Sequence, residues 1–170
     1  MIRRARKDES DTLTAISFGS KRYWNYPEEY YGTWQSELTI TPEYLAGNDV
    51  WVYENDRQVI GYYALVLVEK EIQLSTVTLK KGHWLDHMFI VPAHIGQMVG
   101  TKLFLHLRCR CVERNLSRFD LLADPHARGF YEKMGCRYIE DVESTVVGRT
   151  TFHMCYLFRQ KESTPLFCHA

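Results

Sequence analysis

The chain has 170 residues, of which 45% are hydrophobic and 14% aromatic, and its formal net charge at pH 7 is zero. We expect one domain over residues 1–160, with a core of its own, followed by a loose tail over residues 161–170. The zero net charge excludes a basic field for nucleic acid across the whole chain, and no apolar run is long enough to span a membrane. We therefore expect no nucleic-acid partner and no membrane partner.

The cysteines and the N-terminus bear on the cellular compartment. The first residues, MIRRARKDES, lack the apolar core of a signal peptide. Five cysteines are an odd number, in a chain too long to need disulfides for stability. Cys109 and Cys111 lie two apart on a predicted helix and point in different directions, which argues against a zinc pair and against a mutual disulfide. We expect all five cysteines to be reduced, no metal site and a cytoplasmic protein.

The N-terminal part predicts a short strand followed by three helices. Residues 2–6 fit an edge strand, and a helix capped by Asp8 or Ser10 follows. A shorter helix begins after Pro27. The run Thr41-Pro42-Glu43 joins an N-cap residue to a proline at the first helical position, and so begins a third helical segment.

Residues 49–54 and 58–69 read as two strands around an Asn55-Asp56 turn, which predicts an antiparallel hairpin. The second strand contains the run VIGYYALVLV, and this indicates burial on both faces in the middle of a sheet. Residues 71–81 are either a continuation of that strand or a loop. Residues 84–91 form the next antiparallel strand.

A strand, a glycine-bearing turn and a helix follow one another between Trp84 and Leu107. Pro92 ends the strand, and the loop after it carries Gly96 and Gly100. Such an arrangement aims the N–H groups of a helix N-terminus at an anion, usually a phosphate. The two glycines match neither the dinucleotide fingerprint nor the phosphate-loop motif. A plain turn that needs glycine for its backbone conformation therefore stays an alternative.

The last part of the chain completes the sheet. Residues 117–123 form a strand parallel to the one before the glycine-bearing turn, if the helix between them is a right-handed crossover. Asp124-Pro125 opens a further helix that Gly135 closes, and residues 136–142 and 150–158 make a final hairpin. The predicted fold class is α/β (α+β), with a mixed, mostly antiparallel sheet and helices on both faces.

The run FIVP, then GQMVG and TKLFL, followed by ADPHARGFYEKMGC, resembles the GNAT superfamily of N-acetyltransferases. The resemblance is strong from about Trp84 to Tyr138, and the order of the preceding helices and hairpin agrees with it. It implies a GNAT-like fold in which the strands ending at Val91 and Ala123 splay apart, with acetyl-CoA as co-substrate in the cleft between them. It also implies transfer of the acetyl group to a primary amine, on a small molecule or a protein, by direct attack in a ternary complex.

The resemblance further assigns residues to the cofactor. The pyrophosphate would meet the amides of the turn, and the thioester would lie beside the end of the preceding strand. The implied cofactor-binding residues are Phe89, Ile90, Val91, Ile95, Gly96, Gln97, Met98, Val99, Gly100, Thr101, Lys102, His126 and Phe130. Three of them depart from the family pattern, since Ile95 replaces an Arg or Gln, Met98 replaces a glycine, and His126 stands where Asn is commonest.

Transfer to an amine needs a base for the attacking amine and an acid for the leaving thiolate. The resemblance gives the acid role to Tyr131, which diverges from Phe130 by about 100° around their helix, so that Phe130 packs in the core while Tyr131 faces the cleft. Asp86 and His87 are the candidate bases, and strand alternation predicts that at most one of them faces the cleft. Histidine titrates in the required range without help, whereas an aspartate needs burial. A purely structural role for His87 stays an alternative.

Residues 23–34, YWNYPEEYYGTW, are the most aromatic segment of the chain. Such side chains usually pack in the core or at its rim. As a site, they would form a wall for an apolar or cationic substrate, with Glu28 and Glu29 attracting an amine. The predicted substrate-binding residues are Trp24, Tyr26, Glu28, Tyr30, Tyr31 and Trp34.

Three functions other than that of an N-acetyltransferase stay as alternatives. Ile95 and Met98 favour a non-catalytic acyl-CoA-binding domain, and the aromatic surface at residues 23–34 suits a protein-interaction module of the same fold. A plain phosphate-binding α/β domain is the third. The sequence decides neither the acceptor nor whether the chain forms a homodimer.

Overall fold

The structure is a computed structural model that describes residues 1–74 and 76–158. Its strands are β1 (Ile2–Arg4), β2 (Asp49–Asn55), β3 (Gln58–Val68), β4 (Ile72–Leu74), β5 (Val77–Leu79), β6 (Gly82–Ile90), β7 (Arg118–Ala123), β8 (Arg137–Glu143) and β9 (Thr150–Leu157). Its helices are α1 (Ser10–Arg22), α2 (Glu29–Leu38), α3 (Pro42–Gly47), α4 (Val99–Glu113) and α5 (Arg128–Lys133). Within the described residues, seven strands form one sheet in the order β1-β2-β3-β6-β7-β9-β8, and β4 pairs with β5 in a separate hairpin.

Helices cover both faces of the large sheet. On one face, α1 and α3 contribute Leu13 and Leu45 to a buried apolar cluster. On the other face, α4 packs through Leu103 and Phe104 in a cluster that also contains Phe119 from β7. Burial of these side chains is what holds the layers together. The predicted mixed, mostly antiparallel sheet with helices on both faces is confirmed.

The central hairpin forms as predicted, with a small shift at its turn. Residues 60–65 of β3 are all buried, and β3 pairs antiparallel with β2 and with β6. Asn55 pairs with Gln58, so the turn residues are Asp56 and Arg57, both at positive φ, one position later than expected. The segment that the sequence left undecided, residues 71–81, carries the small β4–β5 hairpin.

The parallel pair that the sequence predicts is β6 with β7, and it is short. Only Trp84 with Asp120 and Leu85 with Leu121 are paired between these strands in the described structure. Beyond these positions β7 stays paired with β9 up to Ala123, while β6 stays paired with β3. The two strands therefore splay apart at their carboxyl ends, as the family resemblance implies.

The cysteines agree only in part with expectation. Cys111, Cys136 and Cys155 are buried free thiols. Cys109 takes part in a disulfide, so the expectation of a reduced thiol is wrong for this residue. The predicted tail at residues 161–170 lies outside the described residues. No helix in the described part of the chain is long and apolar enough to cross a membrane, and the single-domain organisation and cytoplasmic location stay predictions.

Candidate active site

A cavity of about 910 Å³ lies where β6 and β7 diverge, and residues of both strands line it. Because β7 leaves β6 after Leu85, the main chain of β6 beyond that point has an open edge. On the other edge, the Val91 amide donates to the Ile60 carbonyl oxygen at 2.9 Å. By the alternation of a strand, the amides of Met88 and Ile90 then point to the open edge. The cavity therefore contains main-chain donors that no neighbouring strand uses.

The predicted phosphate turn forms part of the cavity wall. The turn residues that line the cavity are Ile95, Gly96, Met98, Gly100 and Thr101. The Lys102 amide donates to the Met98 carbonyl oxygen at 3.0 Å, which is the first hydrogen bond of α4. The amides of the first turn precede this bond and have no acceptor within the helix. Together with the helix dipole they form a site suited to an anion.

The other predicted cofactor residues divide into two groups. Four more line the cavity: Phe89, Ile90, His126 and Phe130. Four do not line it: Val91, Gln97, Val99 and Lys102. Val99 is buried in the core, and the Gln97 side chain donates to the Ala93 carbonyl oxygen at 2.9 Å. Lys102 Nζ donates to Tyr53 Oη at 3.1 Å, so its charge is held against β2 instead of the turn.

Met98 has a left-handed backbone at φ 62°, and its side chain is 63% exposed where it borders the cavity. An L-residue in this conformation costs roughly 1–2 kcal/mol relative to glycine. Met98→Gly is therefore expected to raise the free energy of unfolding by about 1 kcal/mol and to tighten acetyl-CoA severalfold by opening the backbone approach. A thermal melt and a cofactor titration measure the two effects. Met98→Ala separates them, because it removes the side chain and keeps the backbone strain, and weaker cofactor binding in both variants would contradict the steric argument.

Asp86 and His87 both line the cavity, so the expectation that at most one faces it is wrong. The reason is a bulge in β6. Ala64 pairs with His87 and the next residue, Leu65, pairs with Leu85, which leaves Asp86 as the extra residue. A bulge interrupts the alternation of side chains. The Tyr44 hydroxyl of α3 donates to Asp86 Oδ2, and the same ring stacks on His87 with centroids 5.7 Å apart.

Hydrogen-bond directions fix the tautomer of neutral His87. Ser17 Oγ donates to the Leu13 carbonyl oxygen at 2.9 Å, so toward Tyr62 Oη, 2.6 Å away, it must accept. Tyr62 gives its single proton to Ser17 and therefore accepts from His87 Nδ1 at 3.2 Å. The lone pair of neutral His87 is then on Nε2, which lies 3.7 Å from Asp86 Oδ2. This nitrogen can take a proton, and Asp86 is placed to stabilise the resulting imidazolium.

Tyr131 lines the cavity and is 8% exposed. Among the described residues its hydroxyl has no hydrogen-bond partner, and burial raises the pKa of this phenol, which keeps it protonated at neutral pH. Tyr131 belongs to the buried core cluster and Phe130 is only partly buried against it. The expectation that Phe130 packs in the core while only Tyr131 faces the cleft is therefore wrong. Both rings pack around Phe104, and both border the cavity.

Two of the six predicted substrate-binding residues, Trp24 and Trp34, line the cavity. Trp34 is 2% exposed, whereas Trp24 is 37% exposed. The Trp24 ring stacks on the His126 imidazole with centroids 4.5 Å apart and an interplanar angle of 3°. The aromatic wall is therefore present, but it is built from the two tryptophans.

The remaining predicted substrate-binding residues do not line the cavity. Tyr30 and Tyr31 pack edge-on against Trp34 at centroid distances of 5.5 and 5.7 Å. Glu28 forms an ion pair with Arg22 at 3.2 Å on the outer surface. Tyr26 lies behind the wall, where its hydroxyl donates to Asp124 Oδ1 at 2.6 Å. These residues support the wall and the structure does not place them at the acceptor.

Several polar residues of the cavity wall could not be predicted as site residues from the sequence, among them Lys21, Tyr44, Asp124 and Arg149. Asp124 was predicted only as an N-cap, and it does accept from the His126 amide at 3.1 Å. It also pairs with Lys21 at 2.7 Å and with Arg149 at 2.8 Å. These partners are far away in the chain, so no local pattern could reveal the cluster.

A family model for the acetyltransferase (GNAT) domain matches residues 46–136, which run from before β2 to the end of α5 and include the turn and both splayed strands. The chain belongs to the GNAT acetyltransferase family. No curated protein matches the sequence of this GNAT chain at a significant level.

Solved structures share the GNAT fold at low sequence identity. PaiA N-acetyltransferase from Thermoplasma acidophilum, in complex with coenzyme A, has a TM-score of 0.71 and 18% identity over 93% of this chain and 98% of its own. A GCN5-related N-acetyltransferase from Rhodopseudomonas palustris has a TM-score of 0.74 and 17% identity over 93% and 95%. Arabidopsis thaliana Naa50, in complex with the bisubstrate analogue CoA-Ac-MVNAL, has a TM-score of 0.64 and 16% identity over 93% and 98%. At sequence identities this low, these similarities establish a shared fold and nothing more specific.

Proposed function

We propose that this protein is an N-acetyltransferase that moves an acetyl group from acetyl-CoA to a primary amine by direct attack in a ternary complex. One observation carries the proposal: a single cavity is lined by the helix-start turn, by His87 and by Tyr131. An anion site, a base and an acid are the parts that this reaction needs. Structures of the same fold with coenzyme A or a bisubstrate analogue bound support the choice of co-substrate.

The cofactor is proposed to span the cavity from the turn to the open edge of β6. Its pyrophosphate accepts from the amides of the first turn of α4, including that of Gly100. Its thioester lies beside β6, where the amides of Met88 and Ile90 are free to donate. As the amine attacks, negative charge develops on the thioester oxygen, and these fixed amides stabilise it without reorganising.

The proton transfers are assigned to three side chains. His87 Nε2 takes a proton from the attacking amine, directly or through a water, and Asp86 stabilises the imidazolium at 3.7 Å. A C–N bond forms and the C–S bond breaks. The departing thiolate receives its proton from Tyr131, whose phenol is protonated at neutral pH.

His87→Gln is expected to lower kcat/KM about 100-fold, because the variant has no imidazole to take the proton of the amine. Asp86→Asn keeps the imidazole and is expected to lower kcat/KM about 10-fold, since only the carboxylate that stabilises the imidazolium is removed. The measurement is thiol release from acetyl-CoA over a panel of amines and a range of pH.

His83→Gln is the matched control for the His87 variant, because His83 lies on the same strand and does not line the cavity. Acetyl-CoA titration and a thermal melt of each variant show whether binding and folding persist. A folded His87→Gln protein with unchanged kcat/KM would remove the assignment of the base.

A second function is favoured by one specific observation. Ile95 and Met98 both border the cavity, where one offers no charge to the phosphates and the other places a side chain beside the helix start. A non-catalytic acyl-CoA-binding or protein-interaction domain would have this property. Acetyl-CoA binding without thiol release for any amine would favour that alternative.

A further inference from the structure

A buried ionic cluster, which the proposed proton transfers do not use, lies in the cavity wall. Asp124 Oδ2 pairs with Lys21 Nζ at 2.7 Å and with Arg149 Nη2 at 2.8 Å. Asp124 Oδ1 accepts from Tyr26 Oη at 2.6 Å and from the His126 amide at 3.1 Å. All three charged side chains are at least 85% buried, with exposures of 13% for Lys21, 8% for Arg149 and 15% for Asp124. The cluster therefore faces the cavity and not bulk water.

The cluster contains more hydrogen-bond donors than acceptors. Asp124 already accepts from four donors on its two oxygens. Within the described residues, Arg149 Nε is buried and has no hydrogen-bond partner. An unpaired donor of a buried guanidinium is costly, and such groups in native proteins call for a partner. Nε is shielded from the cavity as well as from solvent, but Arg149 lines the cavity and no described residue accepts from its Nη1, so a ligand can supply an acceptor at that nitrogen.

The charges in the cluster are also unbalanced. Two cations, Lys21 and Arg149, share one carboxylate. Both cations also lie over the Trp34 ring, at 4.6 and 5.1 Å from its centroid. This cation–π contact stabilises their positive charge less than an anion would. Burial lowers the pKa of Lys21, and the Asp124 carboxylate opposes that shift, while the exposed Glu37 contributes least. A single negative charge brought by a ligand would balance the site.

We propose that the amine acceptor carries a carboxylate, and that this carboxylate binds Arg149 and Lys21 in the cavity. The inference rests on the proposed acetyl transfer and names the substrate class for it: amino acids and other amines with a carboxylate. A carboxylate suits the cluster because it supplies one negative charge and accepts from the planar guanidinium in its own plane. The two tryptophans of the wall, Trp24 and Trp34, contact the apolar part of such an acceptor.

The test compares acceptors that differ only in the carboxylate. The probes are 4-aminobutyrate with butylamine, and phenylalanine with phenylalaninamide. Thiol release is expressed per concentration of neutral amine, because the members of a pair differ in amine basicity. The wild-type protein is expected to prefer the carboxylate member of at least one pair by 10-fold or more, as expected for a charge-assisted hydrogen bond. Equal or better use of the neutral member in every pair would overturn the inference and leave the acetyl transfer standing.

Arg149→Gln is expected to abolish this preference, and Arg149→Lys, which keeps the charge and loses the fork of donors, to restore part of it. Arg4→Gln, on an exposed position of the edge strand β1, is the matched control and should keep the full preference. If Arg149→Gln fails to fold, Lys21→Gln removes the second cation and is expected to reduce the preference in the same direction. A folded Arg149→Gln protein with an unchanged preference would contradict the assignment.

A binding measurement separates this inference from the proposed function. The coenzyme A complex of the wild-type protein is titrated with the same probes, and tryptophan fluorescence reports occupancy because Trp24 and Trp34 line the cavity. If no amine is acetylated but the carboxylate probes bind and their neutral counterparts do not, the transfer fails and the carboxylate site stands. Absence of binding by every carboxylate probe would reject the site.

Discussion

Replacing Tyr131 with Phe is expected to lower turnover about 100-fold while leaving acetyl-CoA binding and folding unchanged. The ring stays in the core cluster around Phe104, so its packing is kept, and only the hydroxyl is removed. Hydrogen bonding is not among the causes of the pKa shift of this hydroxyl, and it makes no hydrogen bond to a described residue, so its loss breaks no internal bond. The phenol is protonated at neutral pH, so its proton is available to the leaving thiolate, although burial raises the pKa of Tyr131 and makes it a weaker acid than a free phenol. Steady-state thiol release with the best amine, beside a cofactor titration and a melt, gives the answer.

Tyr138→Phe is the control for this change. Tyr138 is 44% exposed and donates to Asp141 at 2.9 Å on β8, outside the cavity. This variant should keep full activity. Full activity in Tyr131→Phe as well would reject the acid role and leave water as the proton donor.

Gly100→Val is expected to weaken acetyl-CoA binding by about 100-fold, equivalent to roughly 3 kcal/mol. Already a Cβ at this position would lie 3.1 Å from Ile90 Cδ1 and 3.4 Å from Phe130 Cζ. Both of these side chains line the cavity, so the two further methyl groups of valine push them into the space that the cofactor needs. Equilibrium titration with acetyl-CoA measures the loss.

Gly32→Val is the control for this change, because it shows how much stability a β-branched residue alone removes from a helix. Gly32 lies in α2, and a Cβ there would meet nothing within 4 Å. That variant should show the small loss of stability typical of valine in a helix and bind acetyl-CoA normally. A folded Gly100→Val protein with unchanged affinity would remove the turn from the cofactor site.

The turn and the elements around it could be predicted because their signals are local. Pro92 ends β6 regardless of tertiary context, and a glycine-bearing loop followed by helical spacing indicates where α4 begins. The bulge at Asp86 could not be predicted in this way. It depends on the register between β3 and β6, which two separate segments set only when they pair. The expectation from simple alternation for Asp86 and His87 failed for that reason.

The acceptor wall was harder to predict because it is assembled from distant segments. Lys21 and Asp124 are 103 positions apart and still form a 2.7 Å ion pair. Arg149 reaches the same carboxylate from the start of β9. The aromatic segment at residues 23–34 identified the right region, but only the folded arrangement shows that Trp24 and Trp34 line the cavity while the tyrosines pack behind them.

Direct transfer of the acetyl group within this cavity is tested most directly by initial rates with acetyl-CoA and an acceptor amine varied together. Free coenzyme A and the N-acetylated amine, identified by mass spectrometry, are counted in each reaction. Because transfer takes place in a ternary complex, we expect intersecting double-reciprocal lines and the two products in equal amounts. Parallel lines, which indicate an acetylated enzyme intermediate, or coenzyme A release without an acetylated amine, would contradict direct transfer.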